Sequence, residues 1–199
     1  MLVGRRADRL EQTAERARLL GTKALVCPCD VASEEQVEAM AASVVKDLGP
    51  PRLVVHSAGV VARVPVGSMT KSDWDTVIGV NLTGVFLVTR AFLPVMLAAR
   101  AGRFVAVASI SSTQGTPALS AYCASKWGVV GFVKALAEEL RGTGLQSLAV
   151  LPGSVDTPML AGSGFKPQMS ADDVAGLIVY AGLDAADAMN GSCIELFGP

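Results

Sequence analysis

Short apolar runs alternate with longer segments of helical period along the whole chain, and this alternation restricts the fold more than any other feature. Leu2-Val3 reads as the tail of a strand, Ala7 to Leu20 as a charged amphipathic helix, and Lys23 to Cys29 as a strand. Ser33, with Gln36 three residues on, opens a helix to about Leu48 that Gly49-Pro50-Pro51 stops. Arg52 to Ser57 is a strand, Asp73 to about Arg100 a long helix with Pro94 as the point to bend, and Arg103 to Ala108 a strand. Ser120 caps a helix from Ala121 to Arg141, Leu145 to Leu151 is a strand, Ser170 with Asp173 caps a further helix, and Ser192 to Leu196 is a last short strand. Leu53 to Val55 and Phe104 to Val107 are apolar at every position, as strands buried on both faces must be. The expectation is an α/β fold, a doubly wound parallel sheet in one domain spanning 1–199. In such sheets ligands bind beyond the carboxyl ends of the strands, so chemistry-bearing residues should follow strands.

Composition removes several alternatives. Half of the residues are hydrophobic (51%) and the formal net charge is −1, which fits neither a basic nucleic-acid surface nor a disordered chain. No uninterrupted apolar run reaches the ~18 residues that would span a bilayer; the segment around Val85 to Ala99 is broken by Thr89, Arg90 and Pro94. Met1-Leu-Val-Gly-Arg5-Arg6 has no signal-peptide layout, so a cytoplasmic protein is expected. Cys27-Pro28-Cys29 has no second cysteine pair and only one histidine to join it. A zinc site needs about four ligands, so no metal is expected and these cysteines read as small buried thiols.

Tyr122 and Lys126, at i and i+4, share one face of the helix that follows a strand. An ammonium beside a phenol favours the phenolate and suits the tyrosine to proton transfer nearer neutrality. Ser109 ends the preceding strand, Asn81 sits in Val80-Asn-Leu-Thr-Gly-Val-Phe86 on the long helix, and Pro152-Gly-Ser-Val-Asp-Thr-Pro158 follows the next strand. Asn is a mediocre helix former, so its place there suggests a role for the amide, in the site or in a structural hydrogen bond to the neighbouring strand. His56 follows a buried strand and is expected to bond backbone rather than to act as base or ligand.

With Asp30-Val31 after a strand, His56-Ser57-Ala58-Gly59, and Trp74 with Val80-Asn81-Leu82, these motifs resemble the short-chain dehydrogenase/reductase family in order and over essentially the whole chain. Its 3-oxoacyl-acyl-carrier-protein reductases are nearest in flavour. The resemblance implies hydride transfer between a nicotinamide cofactor and a carbonyl or alcohol. Tyr122 would exchange the proton at the substrate oxygen, and Lys126 would hold the nicotinamide ribose and depress the Tyr122 pKa. Ser109, thirteen residues before Tyr122, would bond the carbonyl oxygen, and Asn81 would position a water linking Lys126 to solvent. Ser111 and Ser112 are expected to be turn hydroxyls bonding local backbone. Ser57, Ala58 and Gly59 would floor the cofactor, Asp30 and Val31 would meet the adenine, and Pro152, Gly153, Val155 and Thr157 would flank the nicotinamide. The family packs its long helices into homodimers and homotetramers.

Gly4-Arg5-Arg6, at the end of a strand, offers two guanidiniums and no acid, which favours the 2′-phosphate of NADP over NAD. The family's first strand, glycine-rich turn and first helix find no counterpart: no Gly-x-x-x-Gly-x-Gly follows a strand, and Gly142-Thr-Gly144 follows a helix. That turn supplies backbone N–H groups to the pyrophosphate. Its strand is central in the family's order, so edges are expected to open at the strands near Met1 and Arg52. Because every downstream catalytic motif survives, the expectation is an N-terminally incomplete sequence of an enzyme; the competing expectation is an inactive fragment or pseudoenzyme that binds no cofactor and only associates with related subunits. The segment from Met159 to Met169 matches the family's variable substrate lid and names no substrate.

Overall fold

The computed structural model describes residues 1–198. The chain runs β1 (Leu2–Gly4), α1 (Ala7–Leu19), β2 (Val26–Pro28), α2 (Glu34–Leu48), β3 (Leu53–His56), α3 (Lys71–Ile78), α4 (Gly84–Ala99), β4 (Gly102–Val107), α5 (Ser120–Glu139), β5 (Leu145–Pro152), α6 (Ala171–Val179) and β6 (Cys193–Leu196). Every strand pairing between named strands is parallel, and helices pack around the strands in the expected α/β alternation. The strands form two sheets, β1-β2 and β3-β4-β5-β6. β5 is buried at all of its positions and carries the centre of the core, where Val105, Leu148 and Val150 are fully enclosed. Between the two sheets lies a cavity of about 720 Å³ lined by Val3, Leu53, Val55, Val88 and Phe92 among others.

Local chemistry sets the element ends. The Ser170–Asp173 capping box forms, with Ser170 Oγ accepting from Asp173 N–H and Asp173 Oδ2 accepting from Ser170 N–H. Ser33 caps α2 as expected, but Gln36 turns outward to accept from the Asp30 N–H at 2.9 Å rather than completing a box. The second strand is shorter than Lys23 to Cys29, because the Arg18 guanidinium takes the Ala24 carbonyl at 2.8 Å and pairing with β1 begins at the Leu25 carbonyl. α5 begins at Ser120 itself; its cap residue is Leu119, without a side-chain bond, and the Ser120 hydroxyl points to Met69 Sδ at 3.9 Å.

The long helix starts at Lys71 rather than Asp73, because Thr70 and Asp73 form a capping box that makes Asp73 the third residue. It runs to Ala99 as a rod of 29 residues, long and apolar enough by those measures to cross a membrane. That corrects the reading of an interrupted run, since Thr89, Arg90 and Pro94 do not break it. In this fold Val85, Leu87, Val88, Phe92 and Met96 are buried in the core, which accounts for the composition. A π-helical turn over Gly79–Thr83 joins α3 to α4. Such turns interrupt the regular ladder and re-aim a side chain; here the residue inside it is Asn81.

Candidate active site

The carboxyl ends of β3, β4 and β5 open onto one region, which α4 and α5 complete. Lys126 lies one turn beyond Tyr122 on α5 and is 5% exposed. Its ammonium donates to the Val107 carbonyl at the end of β4 (2.7 Å) and sits 5.7 Å from the centre of the Tyr122 ring. An ammonium has three donors, and this contact uses one. Burial without a carboxylate partner lowers the Lys126 pKa to about 8.

The Ser109 hydroxyl acts on the Tyr122 phenol to favour its phenolate, which opposes a larger upward push from burial. The thiol of Cys123 pushes further up and the Arg63 guanidinium down. The net Tyr122 pKa is above the ordinary tyrosine value, with Lys126 not among the causes. This reverses the expected depression: the lysine amine is aimed at the Val107 carbonyl rather than at the phenol oxygen, and desolvation of the ring's polar end outweighs the charges around it.

Ser109 leaves β4 in extended backbone, with 8% exposure, and its oxygen also accepts from the Ser111 N–H at 3.1 Å. The local turn bond therefore belongs to Ser109. The Ser112 hydroxyl, expected to bond turn backbone, is buried with no protein partner, because the 3-10 turn Ile110–Ser112 folds it inward.

Asn81 is 1% exposed and grips the loop after β3 from both sides. Its Oδ1 accepts from Val60 N–H (2.8 Å) and its Nδ2 donates to Val60 C=O (2.9 Å). The same Nδ2 donates to Ser125 Oγ on α5 at 3.1 Å. A Cβ at Gly59 would lie 3.6 Å from Asn81 Oδ1 and 3.9 Å from Lys126 Nζ, so the loop, the asparagine and the lysine meet at one point. His56 is buried, bonds Thr89 Oγ1 at 3.0 Å through Nε2 and stacks on Phe104. Burial lowers its pKa to about 4, so it is neutral, and its partner is the Thr89 side chain rather than the expected backbone.

The remaining candidates divide into groups. Ser57, Ala58 and Val31 line the cavity between the sheets. Arg5 and Arg6 are exposed at the end of β1, and Arg5 reaches to 3.9 Å from Asp30. Asp30 also turns its own loop, accepting from Ala32 N–H at 3.0 Å. Pro152 is buried at the end of β5, and Gly153 N–H donates to Leu196 C=O at 2.8 Å. Val155 pairs with Met169, and Thr157 Oγ1 reaches the Val155 carbonyl at 3.4 Å. The four cysteines are free, and among the described residues no cluster of metal-ligating side chains occurs.

Several contributors had no readable signal. Arg63 holds the Met159 carbonyl at 2.7 Å and acts on Tyr122 through its charge. Ser125 ties Asn81 to α5, and the Val107 carbonyl receives the lysine. Arg9 and Arg16 join Arg6 around a second cavity of about 360 Å³.

A profile of the short chain dehydrogenase family matches residues 1–167. The chain belongs to that family. It is an oxidoreductase of the short-chain type, with 3-oxoacyl-acyl-carrier-protein reductases among its relatives. That of Thermotoga maritima is 33% identical over 181 residues, covering 85% of this chain and 74% of its own. An uncharacterized oxidoreductase of Staphylococcus epidermidis is 33% identical over 183 residues, covering 91% of this chain and 78% of its own. A gluconate 5-dehydrogenase from Burkholderia cenocepacia, solved with NADP and tartrate, superposes with a TM-score of 0.92 at 24% identity. It covers 99% of this chain and 83% of its own, and establishes the fold.

Proposed function

We propose that the protein reduces a carbonyl, or oxidises the matching alcohol, with NADP(H), using Tyr122 as the acid/base. The observation that carries this reading is the convergence of the Tyr122 phenol, the Ser109 hydroxyl and the buried Lys126 ammonium at the carboxyl edge of the sheet. The fit to a nicotinamide cofactor rests on Lys126. It is a buried cation with unspent donors, and a Cβ at Gly59 would lie in contact with it at 3.9 Å. Lys126 and Tyr122 would hold the nicotinamide ribose, Pro152, Gly153, Val155 and Thr157 its ring, and Arg5 and Arg6 the 2′-phosphate. Ser57, Ala58, Gly59, Asp30 and Val31 would line the path between. No glycine-rich turn among these residues cradles the pyrophosphate. When bound, the cofactor supplies or takes the hydride.

The chain's own residues handle the proton and the geometry. Ser109 donates to the substrate oxygen and fixes it beside Tyr122. A phenol held protonated by burial is ready to give its proton to that oxygen as negative charge grows there. Lys126, charged below pH about 8, lies beside the ring and would hold the nicotinamide ribose there. Asn81 acts through the loop: by fixing Val60 it keeps Gly59 against Lys126. The exposed faces of α4 and α5, including Phe86 and Trp127, suit assembly into a homodimer or homotetramer.

The test is NADPH oxidation, followed by absorbance, with a panel of ketones and acyl thioesters. Tyr122→Phe should lower turnover by about 10²–10⁴-fold, the usual contribution of a positioned acid, with unchanged circular dichroism. Turnover within a few-fold of the parent would refute Tyr122. A folded protein that leaves NADPH fluorescence unchanged would favour the cofactor-free, associating subunit instead.

A further inference from the structure

The loop after β3 passes several fixed points in turn. At Gly59 a Cβ would lie 3.9 Å from Lys126 Nζ and 3.8 Å from the Met159 methyl. Val60 is gripped by Asn81. Val64 N–H donates to the Ala118 carbonyl at 2.9 Å, just before α5 begins. Arg63 lies between these last two points, and its Nη2 donates to the Met159 carbonyl at 2.7 Å. The segment that starts at Met159 is closed at its base by two bonds, Gln168 N–H to Ser154 C=O (2.8 Å) and Asp156 N–H to Met169 C=O (2.9 Å). Three loops, 57–70, 109–119 and 157–169, thus meet near the end of α5 that carries Tyr122.

Charge in these three loops has one sign: they contain Arg63 and Lys166 and no aspartate or glutamate. Among the described residues neither cation forms an ion pair. Only Arg63 of the two acts on the Tyr122 phenol, whose pKa its charge pulls down. The guanidinium and the phenol oxygen therefore belong to one site. Arg63 is exposed and spends one donor of its five on Met159. Holding a carbonyl needs only a neutral donor. An unpaired guanidinium with donors to spare is suited to a carboxylate, which it takes through two charge-assisted bonds. One such cation balances one carboxylate, whereas a phosphate ester near −2 would be left half compensated.

We propose that Arg63 is a specificity residue that receives a carboxylate on the substrate, so that the site takes small oxo acids and the matching hydroxy acids in preference to neutral ketones and esters. The inference rests on the reading of Tyr122 as the acid/base. The substrate lies with its carbonyl oxygen between Ser109 and Tyr122 and its carboxylate, a few bonds away, against the guanidinium. A second fixed point on a small molecule orients its carbonyl for proton transfer. The Met159 carbonyl stays on the same guanidinium, so the anion's subsite is tied directly to the segment that covers it.

The probes are pyruvate, acetoacetate and levulinate, each beside its methyl ester, which keeps the carbonyl and removes the charge. With NADPH, at least one acid should exceed its ester in kcat/KM by about tenfold or more, the equivalent of 1.4 kcal/mol. Arg63→Gln keeps a donor for the Met159 carbonyl without the charge. It should cut that acid-to-ester ratio at least about tenfold, chiefly through KM, and Arg63→Lys should retain more of the ratio than Arg63→Gln. The ratio cancels any general loss of activity. No acid preferred over its ester, or a ratio unchanged in Arg63→Gln, would overturn the proposal and leave Arg63 as a clamp on Met159. A second measurement needs no turnover: saturation-transfer NMR of lactate and 3-hydroxybutyrate and their methyl esters, with NADPH, a mixture that cannot exchange hydride. Binding of an acid over its ester that Arg63→Gln abolishes supports the carboxylate site even where Tyr122→Phe stays active; equal binding of acid and ester overturns it even where Tyr122→Phe is dead.

Discussion

Replacing Lys126 with methionine should stabilise the fold near neutrality while abolishing turnover. Burial lowers the lysine pKa from 10.5 to about 8. At 1.36 kcal/mol for each pKa unit, the folded state disfavours the charged amine by about 3 kcal/mol. Methionine keeps the length of the side chain without the charge. Losing the bond to the Val107 carbonyl offsets about 1 kcal/mol, so Lys126→Met should be more stable than the parent by about 2 kcal/mol at pH 7. The difference has a pH signature. Between pH about 8 and 10.5 the unfolded parent still holds a proton that the folded parent has released. Parent stability therefore rises with pH through that window, whereas Lys126→Met lacks this contribution. The two should converge and then cross, with the parent ahead by about 1 kcal/mol, the remaining hydrogen bond, near the top of the window. Urea unfolding by circular dichroism at several pH values between 7 and 10.5, with one protein subtracted from the other, isolates this contribution from other titrating groups. A variant less stable at pH 7, or a difference that stays flat across the window, would refute a desolvated lysine.

Acid should act through His56, which is neutral when folded. Its pKa falls from 6.5 to about 4, so stability present above pH 6.5 should decline as pH falls toward 4, by about 3 kcal/mol. His56→Gln should flatten that part of a urea-midpoint profile. At the loop before β5, Gly144 has φ +87°, and a Cβ there would overlap the Arg100 carbonyl. Gly144→Ala should lower stability by about 2 kcal/mol or more, seen as a lower thermal midpoint; an unchanged midpoint would show that the backbone can shift. Arg5→Glu with Arg6→Glu should raise the KM for NADPH more than that for NADH, and equal changes would remove these guanidiniums from the 2′-phosphate site.

The strand and helix order was legible because each rests on local rules. The apolar runs at Leu53 to Val55 and Phe104 to Val107 became β3 and β4, and the Ser170–Asp173 pair became a cap. What local rules could not supply was the partner of a buried group. The spacing of Tyr122 and Lys126 puts them on one face of α5, yet nothing in that spacing says that the amine turns to the Val107 carbonyl, nineteen residues away. The sign of the Tyr122 shift follows from burial of the phenol, which the spacing does not give either. The same limit explains Ser112, whose orphaned hydroxyl results from the inward fold of a short 3-10 turn.

Asn81 shows how a residue can be recognised before its work is understood. Its poor helix propensity marked it as an exception, with a water beside Lys126 or a structural bond to the neighbouring strand as its expected work. In the structure its amide is spent on protein: both Val60 main-chain groups and the Ser125 hydroxyl. A regular helix would have carried residue 81 at its ordinary angle; the π-helical turn re-aims it inward, and the glycines at 79 and 84 let that turn approach the loop after β2. A Cβ at Gly84 would come within 2.8 Å of Val31. One irregular turn thus holds together the loop after β2, the loop after β3 and the helix that carries Tyr122 and Lys126. These connections do not depend on a continuous sheet between β1 and β3, which is why the half of the molecule that carries Tyr122 and Lys126 is organised although the strands stand in two sheets.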